Sequence, residues 1–191
     1  ELAALYATCQ KYGLRLFIDG ARLGYGLVSA ACDYDLPFLA KHCDVFYIGG
    51  TKVGAMMGEA VVFSGMKTPK YFFTNVKRHG ALLAKGRMLG IQFDTLFTDE
   101  LYFKISRHAI ATATRIRSIF EKHGITIAYD SPTNQQFVVL SPALYEALSQ
   151  KVAFEIWERK SEHEIICRFV TSWATKEEEL DELDRILQAY A

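Results

Sequence analysis

Two short apolar runs, residues 14–18 (LRLFI) and 45–48 (VFYI), each stop at a polar group set among glycines, with a helical pattern between them. The first run ends on Asp19-Gly20-Ala21-Arg22, and the second passes through Gly49-Gly50-Thr51 into Lys52. A strand, a crossover helix and a second strand imply parallel pairing. Parallel pairing puts the carboxyl ends of both strands on one rim, which is where ligands bind in such sheets. Asp19 and Lys52 are therefore expected to face one cavity.

Taken singly, these residues leave alternatives open. Asp19 reads as a strand-end turn that hydrogen-bonds local amides, or as the partner of a cation. Arg22 is that partner or a surface residue. Lys52 sits among Gly49, Gly50 and Gly54. It is either a loop lysine whose glycines turn the chain or an amine of lowered pKa that attacks carbonyl compounds, as desolvation would make it. The G-x-x-x-x-G-K-[ST] spacing of a phosphate-cradling loop is absent.

The surrounding chain extends the α/β pattern. Residues 1–12 have the spacing of an amphipathic helix stopped by Gly13, with no methionine, cap or leader before it, so the chain reads as cut from a longer protein. A short helix is expected at 38–42 after Asp33, Asp35 and Pro37, a third strand at 58–64, and a helix start at Pro69. The basic stretch 77–87 suits a phosphate, a partner subunit or a solvated helix end.

From about residue 101 the pattern changes to an α+β arrangement with an antiparallel sheet. A long helix at 101–122 ends at Gly124, and strands are expected at 125–129, 136–140, 152–158 and 164–173. Helices are expected at 142–150 and 176–190, the last capped by Thr175 with Glu178 three residues on. Arg168 shares a strand face with Ile166 and Val170, so it is aimed at an anion or lies on a solvated edge strand. The boundary divides the chain into domains 1–104 and 105–191.

Lys plus Arg equals Asp plus Glu at 22 each, so bulk charge points to neither nucleic acid nor an acidic membrane. Cys9, Cys32, Cys43 and Cys167 lack metal or redox spacing and read as reduced, buried thiols of a cytoplasmic protein. His42, His79, His108, His123 and His163 show no ligand spacing. No apolar run is long enough to span a bilayer.

Together, I-D-G-A-R-L at 18–23, G-T-K at 50–52 and R-F-V-T-S-W at 168–173 resemble, in register, the threonine aldolase branch of the pyridoxal-phosphate-dependent β-eliminating lyases. The resemblance implies the aspartate-aminotransferase-like fold (fold type I), α/β, with the later part of a large mixed-sheet domain at 1–104 and a small α+β domain at 105–191. It implies that Asp19 pairs with the protonated pyridine nitrogen of pyridoxal 5'-phosphate, that Ala21 packs under the ring and that Lys52 carries the Schiff base. Thr51 and Arg87 are implied in cofactor binding, and Arg22 and Arg168 in holding the substrate α-carboxylate. Where the family has a G-G-G-M-R-Q run, this chain reads A-K-G-R-M-L-G at 84–90, keeping Gly86-Arg87 but not the other glycines or the glutamine. The phosphate-binding loop and the group stacking on the ring are expected upstream of Glu1. The expected reaction cleaves a β-hydroxy-α-amino acid to glycine and an aldehyde in a homodimer or homotetramer, without metal. The alternatives are β-elimination or amino transfer on the same fold, or a scaffold chain without cofactor.

Overall fold

Gly13 takes the left-handed conformation (φ +64°) that ends α1 (Leu2–Lys11), and Leu14 N–H closes the turn on the Cys9 carbonyl at 2.9 Å. In this structure, a computed structural model describing residues 1–190, the chain then enters a three-stranded sheet. The chain as a whole divides into two compact units.

In the first unit (Glu1–Leu27 and Cys32–Lys104), β1 (Phe17–Ile18) runs parallel to β2 (Val45–Gly49), and β3 (Glu59–Phe63) returns antiparallel, giving the order β1-β2-β3. Between the parallel strands lie α2 (Leu23–Leu27) and α3 (Leu36–Lys41), and Leu23, Leu39, Cys43 and Phe46 form the core they share with β2. β1 is shorter than the expected 14–18 because a side chain replaces the ladder. Asp44, itself buried, accepts Leu16 N–H at 2.8 Å and Arg15 Nη1 at 2.9 Å, while the Leu16 carbonyl accepts Asp44 N–H. The Leu16 amide, ahead of Arg15, holds the Asp44 carboxyl below its usual range. Nor is the run buried: Leu14 and Phe17 are 59% and 58% exposed.

Helix α3 starts two residues before the expected 38 because Asp35 caps it, accepting Phe38 N–H at 2.8 Å, and Pro37 fits the first turn. Pro69 does not open a helix. Its carbonyl accepts Phe72 N–H, and α4 (Phe72–Arg78) begins after Tyr71 in a left-handed turn. Helix α5 (Arg87–Phe97), followed by a 3-10 turn at Thr98–Glu100, was not expected from the pattern.

The second unit comprises Val28–Ala31 and the chain from Ile105 onward. Helix α6 (Leu101–Lys122) leads to β4 (Ile127–Tyr129), β5 (Gln135–Leu140), α7 (Pro142–Ser149), β6 (Glu155–Arg159), β7 (Ile165–Val170) and α8 (Glu177–Gln188). All pairings are antiparallel in the order β4-β5-β7-β6. Val138 and Leu140 of β5 and Cys167 and Phe169 of β7 pack with Phe120 of α6 and Leu183 of α8. The cap of α8 falls one residue later than expected. Thr175 accepts Ser172 N–H instead, and Glu179 reaches back to the Lys176 N–H at 3.1 Å. Burial pushes the Cys43 thiol up and the Cys167 thiol to about 11, whereas Cys9 and Cys32 are only partly buried. No helix among the described residues is long and apolar enough to cross a membrane.

Candidate active site

The turn after β1 lies directly against the end of β2, and glycine makes this possible. The Gly20 carbonyl accepts N–H bonds from both Leu23 and Gly49, each at 2.9 Å. A Cβ on Gly20 would enter the Tyr47 carbonyl, and one on Gly49 would enter the carbonyls of Ala21 and Gly20. Because that obstacle is backbone, Gly20→Ala should destabilise the protein by about 3 kcal/mol or more in denaturant unfolding. Gly26→Ala, where a Cβ meets nothing within 4 Å inside α2, should instead be neutral or stabilising by about 0.5–1 kcal/mol.

This approach brings Asp19, Ala21 and Arg22 together with the loop that carries Lys52. Asp19 Oδ1 accepts Ala21 N–H at 2.9 Å and the Tyr47 hydroxyl. The Tyr47 bond, then the Ala21 amide, with further help from the charges of Lys52 and Arg22, holds the Asp19 carboxyl below its usual range. Asp19 in turn raises the Tyr47 phenol to about 12. The site thus presents an ionised carboxylate beside two cations.

The lysine loop is braced from below. Gly50 N–H donates to Glu59 Oε2 at 2.5 Å and the Thr51 hydroxyl donates to Glu59 Oε1 at 3.0 Å. Val53 and Ala55 N–H both return to the Gly50 carbonyl, and Val53 is fully buried. Tyr25 donates to the Lys52 carbonyl, and Tyr102 donates to the Gly49 carbonyl while accepting Gly24 N–H, both at 3.0 Å. The backbone of Lys52 is therefore fixed, while its side chain is exposed and makes no hydrogen bond among the described residues. This differs from a desolvated amine, since the glycines around it shape the turn and do not bury the side chain. Thr51 has already committed its hydroxyl to Glu59. Arg22 is half-buried, and Arg87 is exposed at the first residue of α5.

In the second unit, Arg168 lies on β7, an internal strand, which removes the edge-strand alternative. Its Nη1 donates to Gln135 Oε1 at 3.0 Å, its Nη2 pairs with Glu155, and its guanidinium lies 5.4 Å from the Trp157 ring centre. Its Nε is buried without a hydrogen-bond partner. The anion that Arg168 meets in this structure is thus Glu155, which is 67% exposed.

Sequence reasoning missed Tyr47, Glu59, Asp44 and Glu155. A hydroxyl-bearing ring inside the VFYI run, and a glutamate opening the AVVF run, were the available signals.

Residues 1–143 match the family model described as beta-eliminating lyase. A low specificity L-threonine aldolase from Pseudomonas sp. (strain NCIMB 10558) is 30% identical over 99% of this chain and 54% of its own length. The solved structure of Leishmania major threonine aldolase is 36% identical with a TM-score of 0.95, over 100% of this chain and 56% of that one. Sphingomonas wittichii serine palmitoyltransferase shares the fold at 13% identity, with a TM-score of 0.69 over 98% of this chain and 50% of that one. The chain spans about half the length of the curated relatives it matches.

Proposed function

Since the chain belongs to the beta-eliminating lyase family, we propose that it serves a pyridoxal-phosphate-dependent lyase that cleaves a β-hydroxy-α-amino acid of the threonine type to glycine and an aldehyde. The observation that carries this reading is the pairing of an ionised Asp19, one oxygen anchored, with an unengaged Lys52 amine whose charge reaches it. The donor set fits the group. Asp19 Oδ2 takes no hydrogen bond among the described residues and suits a ring N–H, Lys52 offers a primary amine to an aldehyde, and the half-buried Ala21 holds the other carboxylate oxygen through its N–H. When bound, the cofactor supplies an electron sink for the carbanion left when the Cα–Cβ bond breaks.

This chain's own residues do the rest. Asp19 would pair with the protonated ring nitrogen, and Lys52 would supply the primary amine that holds the cofactor. Arg168 and Arg22 are assigned to the α-carboxylate, where a planar fork orients two oxygens at once. Thr51 is assigned to the cofactor through the loop it shares with Lys52, and Arg87 to its phosphate or to a partner subunit. We assign residues 1–104 to the cofactor-binding domain and the remainder to the small domain. A homodimer or homotetramer in the cytoplasm follows from the same family reading.

Product analysis on the complete protein tests this. Threonine or allo-threonine should give glycine and acetaldehyde. Pyruvate and ammonia from serine would mean β-elimination, keto-acid formation would mean amino transfer, and no product with any amino acid would overturn the enzyme reading.

A further inference from the structure

Asp19 is held from two sides. Its own turn supplies the Ala21 N–H, the neighbouring strand supplies the Tyr47 hydroxyl, and both land on Oδ1. The parallel register arranges this: Ile18 pairs with Phe46, so the next residues on each strand, Asp19 and Tyr47, come level. Phe46 belongs to the core and the partly buried Ile48 packs against it, and alternation along the strand sends Tyr47 to the opposite face. There its ring lies 6.0 Å from Phe17, two residues before Asp19.

We propose that Tyr47 is a positioning residue for Asp19, fastening Oδ1 so that Oδ2 is the oxygen offered to a protonated ring nitrogen. The proposal rests on the cofactor reading above. A carboxylate held only by its own turn rotates about Cβ–Cγ, whereas a second donor from another strand fixes that rotation. The bond also settles where the proton sits. Tyr47 makes Asp19 less basic, together with Ala21, Lys52 and Arg22, so a proton shared with a ring nitrogen stays on the nitrogen. Asp19 is the main group that raises Tyr47, with a smaller contribution from Glu59, so the phenol remains a donor at neutral pH.

Tyr47→Phe keeps the ring against Phe17 and removes only the donor. In the complete protein, the Asp19 carboxyl midpoint, followed by carbon-13 NMR, should rise toward its usual range, and the Kd for pyridoxal phosphate should rise about tenfold. The reciprocal variant, Asp19→Asn, should lower the Tyr47 midpoint toward the usual value of about 10 in ultraviolet titration, so the contact is tested even if Tyr47→Phe fails to fold. An unchanged Asp19 midpoint in Tyr47→Phe, or an unchanged Tyr47 midpoint in Asp19→Asn, overturns the proposal. So does a shifted midpoint with an unchanged Kd, because the anchored oxygen then does nothing for the ring nitrogen. Failure of the unsubstituted protein to bind pyridoxal phosphate overturns the function reading instead, and is seen before any variant is compared.

Discussion

Lys52→Ala in the complete protein should fold with stability unchanged to within about 0.5 kcal/mol, the range for surface substitutions, and lose roughly 10³-fold or more of its aldol-cleavage rate. The first expectation follows from the loop. Its shape is set by Glu59, Tyr25 and the Gly50 carbonyl through bonds to backbone groups and to the Thr51 hydroxyl. The second follows from the chemistry, because Lys52 is the lysine among the described residues whose charge acts on Asp19. Lys52→Arg should not rescue activity, since a guanidinium stays protonated and cannot act as the amine nucleophile. Labelled borohydride should mark the unsubstituted protein at Lys52 and leave the alanine variant unmarked. Wild-type turnover in Lys52→Ala would remove the roles given to Asp19, Arg22 and Arg168 as well.

Arg168→Ala should raise the KM for the amino-acid substrate by the equivalent of about 2–4 kcal/mol, the loss of a desolvated bidentate contact, while binding of pyridoxal phosphate is unchanged. The side chain is 19% exposed, and its partner Glu155 is open to water. Removing the cation therefore strands no buried charge, and the effect on folding should be small beside the effect on KM. Arg168→Lys should recover little, because a point charge cannot reproduce two parallel N–H donors. Unchanged steady-state kinetics in Arg168→Ala would mean that this arginine serves only to pair with Glu155 and stack on Trp157.

The sequence made the parallel β1–β2 pair legible because two apolar runs flanked a helical pattern, and the bounds of α6 because nothing within residues 101–122 breaks a helix. It also marked Asp19 and Lys52, since chemistry at strand ends is visible as abrupt changes in residue type. The braces were not visible. Asp44 reaches back 28 residues to the Leu16 amide, and Glu59 closes on a loop nine residues earlier. Such contacts depend on register, which a one-dimensional pattern does not contain. Arg168 and Glu155 face each other directly in the β6–β7 register, and a β-bulge between Ile156 and Glu158 shifts the facing residues beyond them. The exposure of Leu14 and Phe17, and the choice between a loop lysine and a desolvated amine at Lys52, were not legible for a related reason: apolar composition or flanking glycine does not say what covers a residue.

The division into two units also decides what light can report. Both tryptophans, Trp157 and Trp173, lie in the second unit, each about half exposed at 53% and 47%. The first unit, with Asp19 and Lys52, has tyrosines and phenylalanines but no indole. A melt followed at tryptophan emission therefore records the loss of the antiparallel sheet and is blind to the unit that holds the lysine loop. Circular dichroism or a probe at Lys52 is needed to see that unit unfold, and a difference between the two midpoints would be a property of the protein rather than an error of either method.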